Sequence, residues 1–390
     1  MPLLTRKSQV AVKAESTEGT NSTPTATNAA FNIFEAGFSA DIEQFERNPF
    51  RSSVGRRASI PGVKTGTVSF TTELVGSGTA TTAPPFAAAL KSCGFIETSV
   101  KTITISGTIS GGPFVPGESL SDGSGFSTTI RAVDTTSGTA AVLYVDATAS
   151  SYPSSGTLTG GTSGANFAHG SGTLSGSAVG KVYSTTSTYS TSSAPSATVE
   201  LRNDGIRHAI IGARGNVSLT ASTGQPMQMA FEFLGEKVAT DDQPMLTGIS
   251  YPTTTPPTLL SAAFSTHGHS AVLDNIEINT NNDLQIRRSI NDASGVLSTQ
   301  IVSRGVGGSI DPEMVTVATH DYFGSLDANT EGVTKFTVGS ASGNKFIVLG
   351  AHSQFTGITP GDRNGISVAS IDLGFNESTL GDDDLQIVSL

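Results

Sequence analysis

The sequence predicts a mainly-β protein built from two tandem β-rich units, each with one flanking helix, and a small all-β insert in the first unit. Three observations carry this reading. Gly supplies 44 of the 390 residues, charged residues only 14%, and there is no Trp. Such a chain, rich also in Ser and Thr, suits strands and turns better than helices, which favour Ala, Leu, Glu and Lys. Several stretches alternate with period two, among them "TVSFTTELVG" and "PMQMAFEF", as half-buried strands do. Finally, one phrase occurs twice. "RHAIIGARGNVSL" (207–219) and "NKFIVLGAHSQFT" (344–356) share a polar start, an apolar run and then Gly-Ala, with Gly212-Ala213 falling on Gly350-Ala351.

Residues 1–30 are rich in Thr, Asn and Ser and read as an extended arm that takes order only from a partner. A folded unit begins at Phe31. Within it, "RNPFRSSVGRRASIPGVK" (47–64) carries Arg47, Arg51, Arg56, Arg57 and Lys64 and no acid; it is too long and polar for a tight turn and reads as an extended loop. Val68, Phe70, Thr72 and Leu74 share one strand face. The period then changes. Thr82 is a candidate cap, Pro84 and Pro85 suit a first helical turn, Phe86, Leu90 and Cys93 recur at helical spacing, and Gly94 ends the helix.

Residues 97–183 are low in charge and dense in Gly, Ser and Thr, but contain the runs "TTIRAV" and "AAVLYVDA". These are apolar enough to pack, so a β insert is favoured over a disordered spacer. The first unit resumes over 184–250, where Met227, Met229, Phe231 and Phe233 alternate. "YPTTTPPT" (251–258) is a linker, and a second unit covers 259–390.

The match between units extends beyond the shared phrase. Each unit reads as loop, strand, helix, strand, Gly-Ala strand, final strand and acidic turn, the turns being Asp241-Asp242 and Asp382-Asp383-Asp384. The second helix carries Tyr322, Phe323 and Leu326, with Asp311 or Thr319 as its cap. Ordered agreement of this kind points to two copies of one domain.

The formal net charge of −11 argues against a groove that neutralises phosphates, while an acidic surface would let passing DNA slide without sticking. The single Cys93 excludes an intrachain disulfide. With no apolar leader and no run approaching 18 apolar residues, the sequence reads as a soluble protein made in a cytoplasm. No Gly-x-Ser-x-Gly elbow occurs. "SGSAVGKV" (175–182) departs from a phosphate loop at Ser175 and Val182. His267 and His269 lack further ligands nearby and read as surface histidines. The 382–384 run lacks calcium-loop spacing and reads as a solvated turn. Sugar cleavage or binding lacks aromatic platforms. The sequence thus points to no enzyme, no metal and no cofactor. The basic 47–64 loop reads as a docking element or a solvated face, and the acidic turns as its candidate receivers.

"FERNPFRSSVGRRASIPGVKTGTVSFTTELVGSGTATTAPPFAAALKSCGF" resembles the opening of tail tube proteins of long-tailed, siphovirus-like bacteriophages. "SATVELRNDGIRHAIIGARGNVSLTASTGQPMQMAFEFLGE" resembles the closing half of the same domain, and the segment from "GSIDPEMV" to "SIDLGF" resembles it again. The resemblance covers about 31–96 and 184–390. It implies tube-type β-sandwich or barrel domains with one flanking helix, packed side by side around a channel. Rings would stack into a tube for DNA passage during ejection. A two-copy chain would close a six-domain ring as a homotrimer. The 47–64 loop would reach the neighbouring ring, the acidic residues 241–242 and 382–384 would face the lumen or an interface, and the insert would sit on the exterior. The implied partners are other copies of the chain, the tape measure, tail terminator and distal tail proteins and, transiently, DNA, in a virion assembled in the bacterial cytoplasm, with no membrane. A neck, baseplate or capsid-decoration protein is the nearer alternative, and a carbohydrate-binding or adhesive β-protein the more distant one.

Overall fold

The computed structural model describes residues 3–137, 140–149, 152–260 and 262–390. It is mainly β, with antiparallel sheets and, among the described residues, two short α-helices, Ala87–Ser92 and Tyr322–Asp327.

One strand order is used twice. In the first half the neighbours run Ser8–Ala14, Ala197–Asn203, Ile206–Ser222, Gln228–Lys237, Ile60–Glu73, Ile33–Phe45. In the second they run Ala263–Thr266, Glu331–Val338, Phe346–Arg363, Ile366–Phe375, Gly307–Ile310, Asn275–Asn279. Counted along the chain, both orders are first, fourth, fifth, sixth, third, second. Each helix lies between the third and fourth strands of its set. The two sets join edge to edge: Ser218–Ser222 of the first long strand pairs antiparallel with Asn275–Asn279 of the second set.

Period-two alternation builds the core. Val68, Phe70, Thr72 and Leu74 are all buried, as are Met227, Met229, Phe231 and Phe233. Phe70 stacks on Phe31 at 5.5 Å, on Phe231 at 5.2 Å and on Phe233 at 6.0 Å between ring centroids. Phe86, Leu90 and Cys93 pack from the first helix into the same core, and Phe86 meets Phe346 of the second half. Burial holds the Cys93 thiol far above its usual range.

The repeated phrase lies on the two long strands, beside a β-bulge in each. Pairing slips between Ile210 and Ala213 in the first, and between Gly350 and Ser353 in the second. At a bulge one strand carries an extra residue and bends, so it can serve two different neighbours. The two glycines serve different needs. Gly212 has φ +57°, while a Cβ on Gly350 would collide with the Phe375 ring.

Between its second and third strands each set sends out a hairpin arm. The first arm is the far end of the 33–45/60–73 hairpin, with an irregular exposed loop over 46–59. The expected 47–64 loop is therefore shorter, because residues 60–64 already pair as strand. The second arm is a separate two-stranded hairpin, Asn282–Arg288 with Val296–Arg304, and it folds back over the first half.

Other expectations are corrected. The N-terminal stretch finds its partner inside its own chain. Ser8–Ala14 forms a strand with buried Val10, Ala11 and Val12, and the buried Glu15 carboxylate accepts from Gly212 N at 2.8 Å and Ser196 Oγ at 2.7 Å. The helix caps are neither Thr82 nor Asp311 or Thr319. Phe86 begins the first helix without a side-chain cap, and the Asp321 carboxylate accepts from Gly324 N at 2.7 Å in the second. Asp311 instead accepts the N–H groups of Asp274 and Asn275.

The described residues between 95 and 185 include strands around a core of their own, with Leu120, Ile130, Leu143 and Phe167 among its members. The last strand, Gln386–Ser389, lies between Gly180–Thr185 and Phe346–Leu349 and pairs with both. Phe70→Ala should lower stability by about 3–5 kcal/mol, because it opens a cavity among three rings that cannot collapse onto it. A denaturant titration against the parent protein checks this.

Candidate functional site

The eight strands on either side of the central join present one face to the buried core and leave the other bare. Cross-strand neighbours share a face, so its rows can be read from the register. One row runs Glu35, Thr71, Ala230, Ser218, Asn279, Gly307, Gly374; the next runs Glu73, Gln228, Thr220, Glu277, Ser309, Asp372. Glu232, opposite Ser69, adds a further carboxylate. These rows hold small polar residues and acids and contain no Lys or Arg. Partial burial raises the Glu73 carboxyl above its ordinary range, with a hydrogen bond from Asn32 opposing the shift. Sequence reading missed these acids because it looked for runs. Their signal was the second phase of alternation: where 68, 70 and 72 point inward, 69, 71 and 73 point outward.

Above these rows the bare face is covered by the second arm. Thr299 Oγ1 donates to Leu234 O at 2.7 Å, and Arg214 Nε donates to Thr299 O at 3.0 Å. Asn282 Nδ2 donates to Gly215 O at 2.8 Å and to Cys93 O at 2.9 Å. Burial beneath this arm raises the Glu236 carboxyl, against a hydrogen bond from Ser294. Among the described residues the first arm has no comparable seat, and its main link is an ion pair, Glu43 with Arg288, at 2.5 Å.

The basic residues expected on this loop are exposed. Arg56 pairs with Glu46 at 2.7 Å, while Arg47, Arg51, Arg57 and Lys64 have no ion-pair partner among the described residues. Phe50 and Val54 stand fully in solvent between them. The structure brings Arg47, Arg51, Arg56 and Arg57 together on one loop and leaves Lys64 on the adjoining strand.

The acidic turns are used internally. Arg207 grips Asp241 through two hydrogen bonds of 2.8 Å each and also reaches Glu200 at 3.0 Å; hydrogen bonding to Asp241 raises the arginine pKa and lowers that of the carboxyl. Asp242 sits opposite Ile206 at a strand edge. Arg304 of the second arm holds Asp384 at 2.8 Å and Asp382 at 3.5 Å. Asp383 and Asp384 are only 2% and 6% exposed, so they offer little to a lumen or a docking loop. These turns fasten the ends of the sheets, and the bases they answer belong to the same chain. His267 and His269 differ from the surface reading too. His267 stacks on Phe355 at 4.1 Å with burial holding its pKa down, and His269 stacks on His320 at 4.8 Å. Among the described residues, no group of three or more His, Cys, Asp and Glu is arranged to hold a metal ion, and no helix is long and apolar enough to cross a membrane.

Asp383 offers a test of this internal role. Burial raises its carboxyl pKa; Oδ1 accepts from Ser378 N at 2.7 Å, and Oδ2 is buried without a partner among the described residues. A raised folded-state pKa means that wild-type stability falls as pH climbs from the ordinary carboxylate range through the raised value. Asp383→Asn should therefore be more stable than the parent at pH 7, with the gain vanishing below about pH 4. Thermal melts across that range measure it.

No curated protein matches the chain. Residues 5–376 match the family model described as phage tail tube protein. The match spans nearly the whole chain, both strand sets and both arms included, and the chain belongs to the phage tail tube protein family, as a structural component of a phage tail.

Proposed function

We propose that three copies close a ring of six equivalent wall segments, and that rings stack into a hollow tube through which DNA leaves a siphovirus-like virion. In this reading the chain is a duplicated tube unit. The first copy spans 31–96 and 184–250, the second spans 259–390, and 251–258 links them. The inserted 97–183 stretch lies outside the tube, and residues 1–30 are an arm bound along the first unit. The role is structural and not catalytic. Assembly takes place in the host cytoplasm, and the tube meets tape measure, tail terminator and distal tail proteins at its ends.

One observation carries the ring: the internal join at 218–222 and 275–279 leaves a matching pair of edges unused. Among the described residues, nothing pairs with the outer edge of Ile33–Phe45 or with that of the long strand beyond Phe355. These two edges hold the ranks that 275–279 and 206–222 hold at the join. A second copy repeats the join and a third closes it, which removes both of these edges as closure of a barrel does. Pro360 stands on this edge. Ala369 opposite it turns its N–H to Pro312 O, so the missing donor of Pro360 falls on the free side: it blunts that edge in a lone chain, and the ladder that closes the ring runs one bond short of the internal join, at the rank of Leu219.

Rank fixes the register. Ile371 pairs with Ile358 as Phe231 pairs with Val217, so Thr359 corresponds to Ser218; Ser39 likewise corresponds to Asn279. The bond from Thr280 N to Val217 O makes 218/279 a non-hydrogen-bonded pair. Such pairs bring Cα atoms to about 4.5 Å, within disulfide reach. Ser39→Cys with Thr359→Cys should, on oxidation, give a denaturing-gel ladder that ends at three chains. Unlinked chains or a ladder running past three would remove the trimer. The bare acidic face would line the channel and repel phosphate. Glu232→Lys with Glu277→Lys should leave tube assembly intact and slow DNA release from reconstituted virions, most strongly at low salt, as followed by dye uptake.

A further inference from the structure

We infer that His267, His269 and His320 form an acid-sensitive latch that holds the start of the ring-closing edge and releases it when the imidazoles take up protons. The inference rests on the ring reading above, because the edge it controls is the one that closes the trimer. Four of the chain's six histidines, these three and His352, gather where the long strand leaves its pairing with Glu331–Val338 at Gln354.

On one side of Phe355 stands His267. The tight turn Thr266–His269 holds it at φ +48°, with His269 N donating to Thr266 O at 2.8 Å. A left-handed non-glycine residue is a strained choice of the kind found at switches. The ring stacks on Phe355 at 4.1 Å, and Nε2 donates to Ser353 O at 3.0 Å. A carbonyl only accepts, so Nδ1 is left to take any further proton. It is buried with no partner among the described residues, and the imidazolium would hold an N–H there without an acceptor. On the other side, His269 and His320 lie face to face at 4.8 Å, and Tyr322 meets both rings edge on. Tyr322 packs on Phe355 at 5.9 Å and is the one buried residue of its six-residue helix. Stacked imidazoles hold one charge poorly and two worse.

The charged groups on the surrounding elements are engaged elsewhere. Asp321 faces His320, but its carboxylate caps Gly324 N. Glu331 pairs with His352 and Asn376, Lys335 with Asp134, and Glu313 with Arg363, while Asp327 is exposed at the far end of the helix. Burial holds His267 and His320 below the ordinary histidine value, against the hydrogen bond to Ser353 O in the first and with His269 adding to the effect in the second. A lowered folded-state pKa means that the latch is firm above about pH 6.5 and weakens as pH falls from there. A helix held by one side chain opens locally, ahead of the core. The opening reaches the long strand through buried hydroxyls. Ser353 Oγ donates to Gly332 O at 2.7 Å and meets Thr334 Oγ1 at 2.6 Å, which meets Thr266 Oγ1 at 2.8 Å.

Rings brought from about pH 7.5 to about pH 5 should dissociate with a midpoint of about pH 6 and re-form on return, as followed by sedimentation. His269→Phe with His320→Phe keeps the stack but takes no proton, and its rings should survive the same change. His320→Gln alone should move the midpoint to lower pH, and it carries the comparison should the double variant not fold. Hydrogen exchange of residues 320–328, corrected for intrinsic rate, reads the latch whether or not rings form. Protection should fall in acid in the parent and persist in the variants. Parent rings that stay closed at about pH 5, or variants that dissociate and exchange as the parent does, would overturn the proposal. Loss of the Ser39→Cys/Thr359→Cys trimer band at neutral pH instead counts against the ring reading alone.

Discussion

The antiparallel join between Ser218–Ser222 and Asn275–Asn279 is the constraint on which the rest of the architecture depends. A strand edge presents unpaired N–H and C=O groups that need partners or water. Joining two strand sets edge to edge answers that need at one boundary and passes it to the next. The result is a wall with one apolar face, closed by helices and packed rings, and one bare face too polar to bury. The sequence alternates to suit both, with Phe70, Phe231 and Ile276 on one side and Ser69, Glu232 and Glu277 on the other.

The join also explains why the arms differ. Both leave their sets at the same rank, but only the second has a neighbouring half within the chain to lie on. It is anchored there by Asn282, Thr299 and Arg214, and tied back to its own half by the bridge from Arg304 to the 382–384 turn. Buried ion pairs of this kind add little net stability, yet they fix geometry, because removal of either partner strands a charge in a poor solvent. Asp382 and Asp384 are thus clamps for an arm, while the buried Asp383 carboxylate accepts from Ser378 N.

Much of the fold could be read from residue order. Alternation marked the strand 60–73, the final strand of the first set and the Gly-Ala strands, and the ordered repeat marked two units in sequence. The rest turned on long-range pairing that local pattern does not encode. Ser8–Ala14 is polar at its ends and short, and its role as an edge strand depends on Ala197–Asn203, which is distant in sequence. Runs such as Asp382-Asp383-Asp384 drew attention because they are conspicuous, but a run is local, whereas a charged face is assembled one residue per strand. Glu35, Glu73, Glu232, Glu277 and Asp372 are scattered along the chain and meet only through register. For the same reason the histidine pair at 267 and 269 read as surface, since the rings that cover it, Phe355 and His320, arrive from other elements.

Gln386–Ser389 is threaded between Gly180–Thr185 and Phe346–Leu349, with Ile387 and Val388 fully buried. This one strand is the mortar between two sheets. With it withdrawn, both flanking strands would show an unpaired edge to water and two apolar side chains would lose their seat. The inserted sheet and the second half are thereby coupled into one cooperative body, and loosening either loosens the other.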